Sequence, residues 1–222
     1  MNKLKLFYNS FSQPSRAVKC LLKIGKVDYE EKFVNLAKGD QFKPEVKSLN
    51  WNCQVPFIED NGFVVFESHT IMRYIHQRFN LDNSLYPQKL EDKTKIDMYL
   101  DWHHSNTRRS ANYVTASLLS KRTGQPSLYV EDLVHKELLK AVQNLNDNLL
   151  NNPSHYIFGF QKPTIADISC YQELTELKLI NFDFKKYPNL DAFMNQMSNI
   201  PEIKEVDKDF SDIALKIFKV NL

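Results

Sequence analysis

Cysteine is scarce: three residues in 222, at positions 20, 53 and 170, odd in number and without a C-x-x-C pair. That pattern excludes a disulfide framework and a cysteine-based zinc site, and it implies reduced thiols and no metal. There is also no run of about eighteen apolar residues, so no membrane span is expected. The opening Met1-Asn2-Lys3-Leu4 segment lacks the apolar stretch and small-residue cleavage site of a secretory signal, and a cytoplasmic protein is expected. Charge of one sign is missing as well. The 29 Lys and Arg nearly balance 27 Asp and Glu, a net of +2 that gives no electrostatic reason to bind nucleic acid. Neither an internal repeat nor a low-complexity tract is present.

What is there is ordinary globular chemistry, 42% hydrophobic and 25% charged, in a chain long enough for two modest domains. Leu4 to Tyr8 reads as a strand, Ser12-Gln13-Pro14-Ser15-Arg16 opens a helix that runs to Gly25, and Tyr29 to Val34 reads as a second strand. The crossover rule makes these strands parallel. Asn35 to Asn52 is poorly periodic, with room for one short helix. V-P-F-I-E-D-N-G-F-V-V-F then spells a hairpin turning at Asp60-Asn61-Gly62, and Ile71, Met72, Ile75 and Phe79 recur at helical spacing behind it. Asn80 to Lys89 reads as a linker.

Everything after the linker is helical in pattern. One long helix is expected over Leu90 to Leu119 and another over Leu128 to Leu150, with Leu133, Leu138, Val142 and Leu145 inward. Thr164-Ile165-Ala166-Asp167 reads as a capping box opening a third, a cap worth about 1 kcal/mol. Pro188 and Pro201 divide the tail into shorter helices, and the last, around Ile213 to Val220, is placed to lie over a pocket. The expected class is α/β plus all-α: βαβ-α-ββα over residues 1–81, then an all-helical domain over 89–222.

Two local features point to a small peptide ligand. Pro56 cannot donate to a ladder, so it marks a strand entry or edge, with a cis bond as one way to turn the Val55 backbone outward toward an extended peptide. Glu67-Ser68 closes the hairpin at a helix start, where free N–H groups and the positive dipole end favour a carboxylate. There Ser68 adds a donor and Glu67 a counter-charge for an ammonium.

Four motifs, Ser12 to Val18 (S-Q-P-S-R-A-V), Gln54-Val55-Pro56 with Glu67-Ser68, Trp102 to Arg109 (W-H-H-S-N-T-R-R) and Thr164 to Asp167, resemble those of the theta-class glutathione transferases. The resemblance covers essentially the full chain. It implies a thioredoxin-like N-terminal domain, an all-helical C-terminal domain contributing the electrophile pocket, and a homodimer. It also implies glutathione as cosubstrate, with no cofactor, and conjugation to small hydrophobic electrophiles in detoxification. Glutathione contacts carry over to Gln13, Gln41, Gln54, Val55, Pro56, Glu67 and Ser68, and an electrophile pocket to Phe11, Ser105 and Asn112. Two other readings stay open: a glutathione-transferase-like protein that binds partners without catalysis, and dehalogenase or peroxidase chemistry at the same site.

The chemistry asks for an activated sulfur. A thiol with pKa near 8.5 is only a few per cent ionised at neutral pH. Lowering it by about two units takes roughly 2.7 kcal/mol, and one hydroxyl donating to a thiolate supplies about 1.5 to 3 kcal/mol. Ser12, between the first strand and the first helix and four residues before Arg16, is the expected donor. Ser10, Ser15 and Tyr8 are rivals, and a serine at this place also reads as a plain helix cap. Arg108 is the second catalytic candidate, expected on the long helix on one face with Trp102 and Ser105, where it adds positive charge toward the sulfur or a carboxylate. His103 and His104 point roughly 100° apart on a helix and make a poor metal pair; Cys53 reads as a packing residue.

Gln41, Phe42 and Gln54 depart from the theta pattern, which has histidine, lysine and lysine there. Neutral groups in their place weaken the grip on the glycyl carboxylate, and Lys38 and Lys43 are the candidates to compensate.

Overall fold

The computed structural model describes residues 3–123, 134–152 and 156–218. Strand β1 (Leu4–Tyr8) leads through helix α1 (Gln13–Ile24) to β2 (Tyr29–Phe33), which pairs parallel with β1 from Leu4↔Tyr29 to Tyr8↔Phe33. Two 3-10 turns and the short helix α2 (Pro44–Lys47) bring the chain to β3 (Phe57–Asp60) and β4 (Phe63–Phe66). Strand order is β2-β1-β3-β4, with β3 antiparallel to both of its neighbours. The hairpin turns at Asn61 (φ 52°) and Gly62 (φ 87°), two successive positive φ values that suit the right-handed twist of the flanking strands. Helix α3 (Ser68–Arg78) follows directly.

Alternation places Leu4, Leu6 and Tyr8 of β1 in the core. Helix α1 is buried almost all round, from Ser15 to Leu22, because it lies between α3 on one side and the second half of the molecule on the other. Gly25 ends α1 for a packing reason. Its backbone is right-handed, and a Cβ there would meet the Leu81 side chain at 2.7 Å. The linker is pinned too: Leu85 and Tyr86 are buried, Ile165 N donates to Leu85 O at 2.9 Å, and the Tyr86 hydroxyl donates to Asp97 at 2.8 Å.

The second half comprises α4 (Leu90–Ser105), α5 (Arg109–Thr123), α6 (His135–Asn144), α7 (Ile165–Leu174), α8 (Pro188–Ser198) and α9 (Pro201–Phe218). Every residue of α7 is buried, and α1, α4, α5 and α8 pack around it. Its capping box forms as read: Asp167 accepts from Thr164 N at 2.8 Å and from the Thr164 hydroxyl at 2.7 Å, while Thr164 Oγ1 accepts from Ala166 N at 3.2 Å. The other Asp167 oxygen accepts from Ile157 N at 2.8 Å, which ties down the preceding loop. Burial raises the Asp167 carboxyl to about 6 against these bonds.

Three expectations need correction. The long helix over Leu90–Leu119 is two helices, broken at residues 106–108. There the Asn106 side chain donates to Trp102 O at 2.9 Å and the Ser110 hydroxyl to Thr107 O at 2.6 Å. Such side-chain bonds compete with the helical ladder, which hydrophobic periodicity does not register. The helix expected over Leu128–Leu150 is seen from His135, Leu133 lying outside the described residues, and it ends in a wider π turn over Leu145–Leu149. Finally, α9 packs on α1, and none of its described residues lines the main cleft; Lys219 and Val220 lie outside the described residues.

Candidate functional site

A cleft of about 850 Å³ runs between the two halves. Its N-terminal wall is built by three loops at one end of the sheet. The turn after β1 delivers Phe11 and Ser12, the segment before β3 delivers Gln54, Val55 and Pro56 across a cis Val55-Pro56 bond, and the β4–α3 junction delivers Glu67 and Ser68. The ladder begins only at Phe57, so Val55 stays outside it. Glu67 holds φ 68° and ψ 112°, a conformation costing an L-residue about 1–3 kcal/mol and found mostly where function requires it.

Of the hydroxyls weighed for the sulfur, Ser12 is the one lining the cleft. It caps α1, its Oγ accepting from Ser15 N at 3.4 Å, which leaves its own proton free to be donated elsewhere. Ser15 is fully buried within 3.5 Å of Asn9 N, and the Ser10 carbonyl accepts from Arg16. Tyr8 lies outside the lining and hydrogen-bonds Glu31 of the neighbouring strand, and burial followed by that bond pushes its phenol up to about 12.

The second wall differs from expectation. Arg108 does line the cleft, but from the turn between α4 and α5. It donates from Nη1 to Glu173 Oε2 at 2.9 Å and to Gln13 Oε1 at 3.4 Å. Ser105 is exposed and Trp102 is half-buried against the core, both outside the lining, because the break at Asn106 rotates Arg108 off their shared face. Phe11, Gln13 and Asn112 line the cleft as expected. His103 is buried and His104 exposed, yet both reach the cleft and their rings flank His69, with centroids 4.9 and 4.8 Å from it. His69 Nε2 lies 2.7 Å from Ser169 Oγ, and burial, reinforced by the neighbouring histidines, holds its pKa well below the usual imidazole value.

Comparison with known proteins gives this geometry its context. Residues 2–77 match the family described as glutathione S-transferase, N-terminal domain, and residues 112–208 match glutathione S-transferase, C-terminal domain. Glutathione S-transferase T1 of Arabidopsis thaliana is 36% identical over 184 residues, covering 82% of this chain and 75% of that one. The chain belongs to the glutathione transferase family. Theta-2 of Rattus norvegicus is 28% identical over 201 residues, 87% of this transferase and 80% of the relative. A human theta-class glutathione transferase, solved with the glutathione conjugate of 1-menaphthyl sulfate, superposes with a TM-score of 0.87 at 26% identity, covering 98% of this chain and 89% of that one.

The transferase handles the departures from the theta pattern as follows. Gln41 and Gln54 line the cleft, whereas Phe42 is 65% exposed and does not. Neither proposed compensator reaches it: Lys38 is exposed and outside the lining, and Lys43 is paired with Asp40 at 2.8 Å.

Residues missed in the sequence cluster here too: Asn50, Asn52, Ser169, Glu173 and Glu176 all line the cleft. A signal existed in Glu173 and Glu176, two acids one helical turn apart at the end of the helix that the capping box opens. Burial lifts the Glu176 carboxyl to about 7, with Arg16 opposing the rise. The folded protein therefore holds this proton to higher pH than the unfolded chain. Its contribution to stability is complete below the ordinary value of 4.5 and is lost as pH rises through about 7. Glu176→Gln should abolish a fall in unfolding free energy on the order of 2 kcal/mol across that window, read by urea denaturation at its two ends. Equal pH slopes in variant and parent would contradict it.

Proposed function

We propose that this transferase conjugates reduced glutathione to small hydrophobic electrophiles, with the Ser12 hydroxyl stabilising the thiolate, as a detoxifying enzyme of theta type. The observation that carries this reading is Ser12 at the N-terminus of α1, in the same cleft as the outward Val55 segment and the Glu67-Ser68 helix start. The γ-glutamyl end of the tripeptide would sit at Ser68, where helix N–H groups meet its carboxylate and Glu67 its ammonium. Its cysteinyl backbone would align with Val55, bringing the sulfur toward Ser12. Arg108, already tied to Glu173, adds fixed positive charge on the electrophile side. Phe11, Val114 and Leu118 give that side its apolar surface.

Family membership supports glutathione as ligand, a homodimer and a cytoplasmic enzyme. Among the described residues no helix is long and apolar enough to cross a membrane. The test is isothermal titration with reduced glutathione combined with turnover of a small alkyl halide or epoxide. Saturable binding with conjugation is the expected result. Binding without turnover would favour the non-catalytic reading, and no binding at millimolar ligand would end the proposal.

A further inference from the structure

We infer that the end of the cleft receiving the tripeptide's C-terminal residue is built for an uncharged group. The cosubstrate class then extends to γ-glutamyl-cysteinyl thiols whose C-terminal carboxylate is amidated. The inference rests on the glutathione reading above and refines it. With the γ-glutamyl end at Ser68 and the sulfur near Ser12, the remaining end points toward Leu36, Gln41, Asn50, Asn52 and Gln54. None of these side chains carries a charge.

The amides are organised among themselves. Asn50 Nδ2 donates to Gln54 O at 2.9 Å and Asn52 Nδ2 to Gln54 Oε1 at 3.1 Å, so the free capacity of Gln54 is its own amide N–H. Gln41 Oε1 is buried and has no donor. A carboxamide, with both N–H and C=O, satisfies Gln41 in either orientation of its amide, whereas a carboxylate satisfies only one.

The cleft's fixed charges point the same way. Among the described residues, Arg108 is the one Lys or Arg lining it, at the α4–α5 end and already engaged by Glu173 at 2.9 Å. Glu67 and Glu173 line it as well, and Glu176 does so with a carboxyl lifted to about 7, so the acidic side chains outnumber the one guanidinium. A ligand with one carboxylate fewer meets less opposition from these acids, and although it gives up charge-assisted bonds from the neutral N–H groups, its amide N–H supplies the donor that Gln41 Oε1 lacks.

The test is titration of the full chain with reduced glutathione and with its glycinamide analogue. Dissociation constants within about threefold of each other are expected, because the amide N–H bond gained at Gln41 Oε1 offsets the charge-assisted bonds that the carboxylate accepts. An amide weaker by more than about threefold overturns the inference, since the carboxylate's own charge-assisted bonds would then outweigh the bond gained at Gln41. Failure of both ligands to bind removes the glutathione reading itself, and this inference with it. Gln54→Lys supplies the missing charge and should raise the preference for glutathione over its amide to about tenfold. An unchanged preference in that variant also overturns it.

Discussion

Ser12→Ala should lower kcat/KM for glutathione conjugation roughly a hundredfold, because one hydroxyl bond to a thiolate contributes about 1.5 to 3 kcal/mol. The mechanism makes a more specific demand than slow turnover. The bound thiol's pKa should rise by about one to two units, shifting the pH–rate profile upward until variant and parent converge at high pH, where both sulfurs are ionised. Ser12 also caps α1, so the alanine variant loses about 1 kcal/mol of stability as well. Ser12→Gly separates the roles, since glycine keeps most of a cap's worth and none of its hydroxyl. Thiolate absorbance titrated with glutathione bound is the direct reading, and an unmoved pKa in both variants would remove Ser12 from the chemistry.

Arg16→Met should cost about 3 to 5 kcal/mol of unfolding free energy, the range for removing one partner from a buried charged network. Arg16 is 1% exposed, and its guanidinium donates to Gln172 Oε1 at 2.7 Å, to Gln172 O and Thr175 Oγ1 at 2.9 Å, and to the carbonyls of Phe11 and Ser10 at 3.0 and 3.3 Å. It also stacks on Phe210, 3.9 Å from the ring centroid. Burial depresses its pKa while Glu176, Asp207 and Glu173 oppose that shift, so removal strands acceptors and carboxylates together. Lysine has too few donors, in the wrong geometry, and Arg16→Lys should recover less than half of the loss. Urea denaturation decides, and a variant within about 1 kcal/mol of the parent would show that the network contributes little. The same bonds hold the Ser10 and Phe11 carbonyls just before Ser12, so activity should fall with stability.

The sequence and the structure agree where the determinants are local. The strand–helix–strand order, the Asn61-Gly62 turn and the Thr164–Asp167 box each rest on residues within a few positions of one another. Ser12, Val55, Pro56, Glu67 and Ser68 were legible for the same reason, since each marks the end of an element. What stayed hidden depends on contacts across the chain. Arg16 served only as a spacing marker for Ser12, because its partners Gln172 and Thr175 are 156 and 159 residues away. His69, His103 and His104 look unrelated until α3 and α4 bring their rings together. Ser105 was misplaced because spacing arguments assume an unbroken helix, and Asn106 breaks it.

The twisted backbone at Glu67 carries a last consequence. Glycine, having no Cβ, would adopt that dihedral pair at lower cost, and a sequence tuned only for robustness would use it. Keeping a glutamate there means the fold gives up some of its margin for a negative charge at the mouth of α3, so the variant that best resists heating is also the one expected to release the peptide's ammonium.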